Sequence, residues 1–378
     1  MAERWVLQFC HCHYGPFLDV ARQYAALFKD HPYKVLTVYL TGEPSESAVT
    51  GSASDEVIFL NFCSKDVSGL KISAILALRK IVASRDIALV IAHRFKPIYI
   101  ACLATGLPVI GVHHAFGDYK RAARRWFANA FKKRLALLGV SHAVRDDIRK
   151  RLPDWPAERI ETLHNRLDVA VVRAEVATRE QARQTLGLPE DAVVIGNVGR
   201  LHADKDQATL LTGFARALPQ LPQGTLLAII GSGSLHDKLL AQAAALGIAE
   251  RVRFLGQVPQ ARRLFAAFDL FVLSSDHEPF GMVLLEAMAA GVPVMATDCG
   301  GAPEIVRHTD QLFALRDAAG LANKLEVFFT GDVAEQRLRL GGDATHCLID
   351  VFSDEAARRQ FFSLPMIRSV TAEGAVKQ

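Results

Sequence analysis

The chain has 378 residues, half of them hydrophobic and 22% charged. That length is too great for one ordinary domain and suits two, and the composition is that of a soluble globular protein. No apolar run approaches the roughly 20 residues that a bilayer-spanning helix needs.

Net charge is only +4, but it is uneven: residues 1–168 hold 24 Lys and Arg against 16 Asp and Glu, giving +8, and the remainder holds 20 against 24, giving −4. A basic first half points to an anionic partner there. The opening MAERWVLQFC lacks the basic start and small-residue cleavage site of a signal peptide, so a cytoplasmic location is expected. Six cysteines are scattered at 10, 12, 63, 102, 299 and 347, which reads as reduced thiols with no disulfide framework.

Apolar runs predict strands near 5–10, 34–40, 56–61, 88–92, 108–113, 136–140 and 159–164. Helical runs fall near 17–29, 70–84, 96–105, 119–134 and 142–151. This alternation implies a parallel sheet with crossover helices. The first strand runs into His11-Cys12-His13-Tyr14-Gly15-Pro16. Alternate strand residues face opposite ways, so Cys10, His11, Cys12 and His13 cannot converge on one metal without irregular backbone, and no metal site is expected. The strand Val109–Val112 leads into His113-His114-Ala115-Phe116-Gly117-Asp118, a polar cluster aimed at a ligand crevice.

The helix predicted at 119–134 carries Lys120, Arg121, Arg124, Arg125, Lys132, Lys133 and Arg134, with Trp126, Phe127 and Phe131 on an apolar side. Such a helix can lie on an anionic membrane surface; a solvated face over a core-facing aromatic stripe is the plainer reading. No recognised nucleic-acid module accompanies it, so nucleic acid is not an expected partner. Residues 165–190 lose the strand–helix rhythm and read as linker with one short helix. The expected domains are 1–168, a linker at 169–190, a second domain at 191–350, and a C-terminal helix and tail at 351–378, with that helix packing back toward the first domain.

Alternation restarts with strands near 192–198, 226–231, 252–256, 269–273 and 293–297. Two doubly wound α/β domains facing a cleft are the simplest architecture, with ligands beyond the carboxyl ends of the strands. The strand ending at Val198 is followed by Gly199-Arg200-Leu201-His202-Ala203-Asp204-Lys205-Asp206. Gly199 allows close backbone approach, and Arg200 with Lys205 suits a diphosphate, as a planar fork beside a point charge; two solvated surface cations are the plainer alternative. Gly231-Ser232-Gly233 lacks a third glycine, since His236 stands there, and no acidic residue closes the next strand. The dehydrogenase fingerprint is therefore absent.

The densest pattern is residues 270–304, LFVLSSDHEPFGMVLLEAMAAGVPVMATDCGGAPE. A short buried strand precedes two serines, then Glu278-Pro279-Phe280-Gly281, then a helical run from about Met282. Free N–H groups at that helix start suit an anion or a sugar hydroxyl. Glu286 follows eight residues after Glu278 in a nearly all-apolar helix, which predicts that it is buried and needs a partner. Gly300-Gly301-Ala302-Pro303-Glu304 reads as a turn and helix start outside the site.

From about residue 5 to residue 306, this frame resembles the retaining nucleotide-sugar glycosyltransferases of family four, also called group one, with the GT-B fold. The resemblance implies that Arg200 and Lys205 bind the donor's diphosphate and that Gly231 and Gly233 pack near the nucleotide. It implies that Glu286 holds the ribose, and that Glu278 holds the donor sugar beside the backbone N–H groups of Phe280, Gly281 and Met282. It places His114, favoured over His113 by spacing from Pro108, over the sugar's reactive face as an orienting group. Near the acceptor the family has several glycines where this chain has only Gly15. No cofactor or obligatory metal is implied. A UDP-, GDP- or ADP-linked sugar is the expected donor, and a glycan or glycolipid of lipopolysaccharide or surface polysaccharide the expected acceptor. Asn165-Arg166-Leu167-Asp168 and the segment 307–312 depart from the family pattern. A nucleotide-sugar epimerase of the same fold and a non-catalytic nucleotide-sugar-binding subunit are the alternatives.

Overall fold

The computed structural model describes residues 3–331, 336, 340, 344 and 346–376. It divides into two compact units, residues 1–165 with 354–378, and residues 166–353. Both are parallel α/β sheets with crossover helices, as the alternation of apolar runs predicts.

The first unit is a seven-stranded sheet. Its strands are β1 (Arg4–Cys10), β2 (Lys34–Tyr39), β3 (Glu56–Phe59), β4 (Asp86–His93), β5 (Val109–His113), β6 (Leu135–Gly139) and β7 (Ile160–Thr162). They lie in the order β3-β2-β1-β4-β5-β6-β7. A parallel sheet is covered on both faces, so its strands read as unbroken apolar runs. In β4 every residue after Asp86 is buried, and β5 and β6 are buried throughout. Gly111 in β5 lets a helix lie close: a Cβ there would sit 2.6 Å from Ile98 on helix Phe95–Ala104.

The helix expected over 119–134 runs from Ala122 to Phe131, because residues 117–120 form turns instead. A short helix at Glu46–Gly51, capped by the Ser45 hydroxyl, was not predicted. The C-terminal helices Asp354–Ser363 and Pro365–Val376 belong to this unit, in keeping with the expected return of the C-terminus. Arg22 pairs with Asp354 at 3.0 Å, the Gln360 amide donates to Thr162 O at 2.9 Å, and Phe362 stacks on His31.

The second unit holds β8 (Val194–Val198), β9 (Leu226–Ile230), β10 (Val252–Gly256), β11 (Leu270–Leu273), β12 (Val294–Thr297) and β13 (Leu312–Phe313). Their order is β10-β9-β8-β11-β12-β13. One core cluster joins Ile195, Leu227, Ile229, Leu270 and Val272 of the sheet to Leu211, Phe214, Leu321, Leu325 and Phe328 of the helices. Burying each such side chain stabilises by about 1.5–3 kcal/mol.

Residues 165–190 carry two helices, Val169–Glu175 and Arg179–Leu186, where one was expected. Thr178 and Gln181 form a reciprocal capping box, and Gly187 closes the second helix at φ 63°. That helix is anchored to the sheet. Arg183, fully buried, reaches Asp269 at 3.0 Å, Arg179 reaches the other carboxylate oxygen at 2.8 Å, and Val194 N donates to Asp269.

In each sheet the strand order reverses once, between β1 and β4 and between β8 and β11. Crossovers leave in opposite directions there, opening a crevice at the strands' carboxyl ends.

Candidate functional site

In the second unit the reversal brings together the loops after β8 and β11. Lys205 and Glu278 meet there, Nζ to Oε2 at 2.7 Å. Ser275 Oγ donates to the same carboxylate oxygen at 3.0 Å, and Ser274 Oγ donates to Lys205 O at 2.9 Å. Asp276 N donates to Asp204 O at 3.1 Å, so the two loops are also joined through backbone. Glu278 is 7% exposed. A carboxylate so buried needs charge and hydrogen-bond partners, and Lys205 and Ser275 provide them.

Arg200 lies on the rim. Its side chain is 72% exposed and makes one 3.2 Å contact with Asp204. An exposed guanidinium with one surface partner is free to turn toward an incoming anion. Arg316, also exposed, pairs with Asp276 at 2.9 Å.

The glycines explain how the loops pack. A Cβ on Gly231, at φ 143°, would stand 1.9 Å from Gly199 O, and one on Gly233 would stand 2.3 Å from Leu201 O. Backbone bonds Gly199 N to Ile230 O, Leu201 N to Ser232 O and Gly231 N to Gly256 O tie the ends of β8, β9 and β10 together. These glycines let two backbones touch.

Helix Met282–Ala289 starts behind Gly281, at φ 106°, with no side-chain cap. Pro279 lies ahead of it in a turn braced by Gly301, whose N–H donates to Glu278 O at 2.8 Å. A Cβ on Gly301 would fall 2.7 Å from Phe280 Cα. Gly301 therefore supports the site, although the sequence reading left its segment outside. Ser275 is the second of the two serines in the sequence frame, and its position three residues before Glu278 is the signal for its contact with that carboxylate.

Glu286 is half-buried, which corrects the expectation of burial. Met282, Val283, Glu286 and Ala290 share a partly exposed stripe at helical spacing, while Leu284, Leu285, Ala287 and Met288 face the core. Phe280 is buried against Phe352, with ring centroids 5.7 Å apart.

In the first unit, His113 and His114 separate clearly. His113 is fully buried between Asp118 (2.7 Å) and the Tyr119 hydroxyl (3.2 Å). His114 is half-buried, and its Nε2 lies 3.3 Å from His93 Nδ1. Burial, with His113 and Arg94 nearby, pushes the His114 imidazole down to about 3. His93 is pushed well down by its own burial and by His114. Both rings are thus neutral at ordinary pH. Gly15, at φ 56°, precedes helix Pro16–Ala26, with open space around its Cα.

Cys10 and Cys12 are buried; burial pushes the Cys10 thiol up. His13 contacts Glu43 O at 3.0 Å and packs edge-on against Tyr39 and Phe59.

On and beside helix Ala122–Phe131 the basic residues divide. Arg124 pairs with Asp118 at 2.7 Å and lies over Phe95, Arg125 donates to Tyr119 O and Lys120 O, and Arg134 donates to Leu107 O and Cys102 O. Phe127 is buried, whereas Trp126 is 74% exposed. Lys120, Arg121, Lys132 and Lys133 are exposed. The outward basic set is thus smaller than the seven residues counted in the sequence. Among the described residues, no helix is long and apolar enough to cross a membrane.

The family model for glycosyl transferases group 1 matches residues 178–346, and that for glycosyltransferase family 4 matches residues 17–171. The chain is 34% identical over 213 residues to the lipopolysaccharide core biosynthesis glycosyltransferase LpsE of Rhizobium meliloti (strain 1021), covering 55% of this chain and 61% of that one. It is 31% identical over 187 residues to the N-acetyl-alpha-D-glucosaminyl L-malate synthase of Bacillus anthracis, covering 49% of this chain and 48% of that one. It thus spans about half to three-fifths of the length of these curated relatives. A glycosyltransferase from Rickettsia africae ESF-5 superposes with a TM-score of 0.82 at 16% identity, covering 98% of this chain and 99% of that one. Anabaena HepE, solved with UDP and glucose, gives 0.74 at 21% identity, covering 96% and 98%. With two doubly wound units, each matched by one of these family models, the chain belongs to the family-four, group-one glycosyltransferases of the GT-B fold.

Proposed function

We propose that the protein transfers a sugar from a nucleotide-diphosphate donor to a hydroxyl acceptor, with retention at the anomeric carbon. The observation that carries this reading is the Lys205–Glu278 pair at the strand-order reversal of the second sheet. Lys205 and the exposed fork of Arg200 meet the donor's diphosphate. As the bond from the anomeric carbon to the diphosphate oxygen breaks, charge grows on that oxygen, and a fixed ammonium stabilises it. Glu278, already held by Ser275, accepts hydrogen bonds from sugar hydroxyls. The backbone N–H groups of Phe280, Gly281 and Met282, at the start of helix Met282–Ala289, face the same region of the donor. Glu286, on the open stripe of its helix, takes the ribose hydroxyls. Gly199, Gly231 and Gly233 shape the loops around the nucleotide. His114, a neutral imidazole, keeps the orienting role that the family resemblance implies, and Gly15 lies on the acceptor side.

The neighbour HepE was solved with UDP and glucose, which supports a UDP-linked donor. The relative LpsE acts in lipopolysaccharide core biosynthesis, which supports a glycolipid acceptor on the inner face of the cytoplasmic membrane. The exposed Lys120, Arg121, Lys132 and Lys133 beside Trp126 offer a surface for its anionic lipids. The epimerase and binding-subunit alternatives draw no support from these relatives.

The test is a thermal-shift screen of UDP-, GDP- and ADP-sugars, since a ligand that binds the folded state raises its stability. One nucleotide series should raise the melting temperature, and the best donor should yield a glycosylated product with a lipopolysaccharide-core acceptor. Free nucleotide released without glycosylated product would favour the epimerase. No response to any nucleotide sugar would remove the donor site.

A further inference from the structure

A second cluster of charge lies in the first unit, at the reversal of its own sheet. Register pairs Phe9 with Ala92 and His93 with Val112. The chain therefore leaves three neighbouring strands at one level, with His11 after β1, Arg94 after β4 and His114 after β5. Lys96 follows in the first turn of helix Phe95–Ala104. The Arg94 guanidinium stands 5.1 Å over the Phe17 ring, on the helix that follows β1. Behind Lys96, Lys71 sits 4.9 Å over the Tyr99 ring.

These cations are not compensated. Among the described residues, no carboxylate pairs with Arg94, Lys96 or Lys71. Their mutual repulsion is felt by their neighbours: burial and then Lys96 depress Lys71, and both Lys96 and Arg94 add to burial in pushing His11 down to about 4. His11 is thus a neutral imidazole, and among the described residues its buried Nδ1 has no hydrogen-bond partner. Arg94 has φ 74° and ψ 158°, a region nearly confined to glycine. A strained, self-repelling set of donors at a strand-end crevice suits an anion.

We infer that Arg94, Lys96 and His11 bind a phosphate group carried by the acceptor. This rests on the transferase function proposed above, with the first-unit loop that holds Gly15 on the acceptor side. Arg94 supplies a planar fork, Lys96 a point charge and His11 a neutral donor.

The test uses the whole chain and inorganic phosphate at constant ionic strength, with melting temperature as the readout. Phosphate should stabilise the parent and Lys205→Ala alike. In Arg94→Gln/Lys96→Gln its apparent affinity should fall roughly tenfold or more, the scale of losing charged hydrogen bonds. Arg94→Gly relieves the backbone strain, so it should fold at least as well as the parent while losing most of the phosphate response. Competition by glycerol 3-phosphate would assign the site to a soluble phosphoester, and competition only by phosphatidylglycerol vesicles would assign it to a lipid headgroup; either supports the inference. No stabilisation of the parent overturns it. So does a response that survives in the double variant and vanishes in Lys205→Ala, because the phosphate then belongs to the second-unit loop. Nucleotide-sugar stabilisation, followed in the same variants, is independent of this outcome; its absence from the parent would sink the transferase reading instead.

Discussion

Lys205 Nζ lies 2.7 Å from Glu278 Oε2, although 73 residues separate them in the chain. The pair is held before any donor arrives. Ser275 fixes the carboxylate, and Gly301 fixes the backbone beneath it. Preorganised charge of this kind costs no rearrangement during reaction, which makes it effective in catalysis.

The pair gives the first prediction. Lys205→Ala should lower turnover by roughly 100-fold or more, the scale of losing one preorganised electrostatic donor. Glu278→Gln should fall between that and the parent, losing sugar orientation and part of the rate. Glu286→Gln should mainly raise the donor's Michaelis constant, because ribose binding is shared by ground and transition states. Steady-state kinetics on folded variants decide this. Normal turnover by Lys205→Ala at saturating donor would reduce residues 199–206 to a surface loop.

Gly231 gives a second. Its missing Cβ is where Gly199 O approaches, so Gly231→Ala must push the β8 and β9 loops apart. Gly224, at φ 85°, has nothing within 4 Å. Gly224→Ala should cost only the backbone strain, about 1 kcal/mol. Gly231→Ala should cost more and should also raise the donor's Michaelis constant. Equal losses in the two variants, read from urea midpoints, would mean that the loop contact is unimportant.

The sequence reading reached the strands because parallel strands, covered on both faces, are apolar runs. It missed β13 because Leu312–Phe313 is too short to form one. It missed helix Glu46–Gly51 because that segment owes its helicity to the Ser45 cap more than to an apolar face. Motif residues such as Gly231 stood out, but the reason for them, Gly199 O, lies on another strand. The expectation of one short helix in 165–190 falls one short for a similar cause: the helix Arg179–Leu186 is polar by composition, yet Arg183 is buried by an ion pair to Asp269, 86 residues away. Local pattern cannot show a partner at that distance.

That ion pair makes a third prediction. Arg183 is fully buried, and Asp269 holds Arg183, Arg179 and Val194 N together. Removing one partner strands the other's charge, which costs about 3–5 kcal/mol. Asp269→Asn should therefore lower the urea midpoint of the second unit markedly. Arg179→Gln removes a partly exposed partner and should cost much less. A small loss for Asp269→Asn would show that the helix is not anchored through this residue.

A fourth concerns the membrane. Lys120→Ser, Arg121→Ser, Lys132→Ser and Lys133→Ser combined should weaken binding to anionic vesicles, most visibly at low salt. Arg124→Ser should act differently, since Arg124 is tied to Asp118; it should lower stability with a smaller effect on vesicle binding. Vesicle sedimentation over a salt series separates the two. Unchanged binding by the fourfold variant, or none by the parent, rejects this surface.

The last prediction follows from the histidines at the first sheet's crevice. Folding holds His114 down to about 3 and His11 down to about 4, with His93 also well down, from an ordinary value of 6.5. Between those values the unfolded chain binds protons that the folded chain does not. Stability therefore rises with pH across this range, is fully present above about 6.5, and is lost as pH falls toward the folded values. Carboxylates such as Asp118 contribute a loss of the same sign, but only nearer 3.8 and below. The window from about 4.5 to 6.5 thus isolates the imidazoles. Urea midpoints should fall steadily through it as the solution is acidified. In His114→Asn the slope should be shallower, and in His93→Gln/His114→Asn shallower still. A double variant with the parent's slope would mean that these rings protonate without cost, and that the crevice is far wetter than its burial implies.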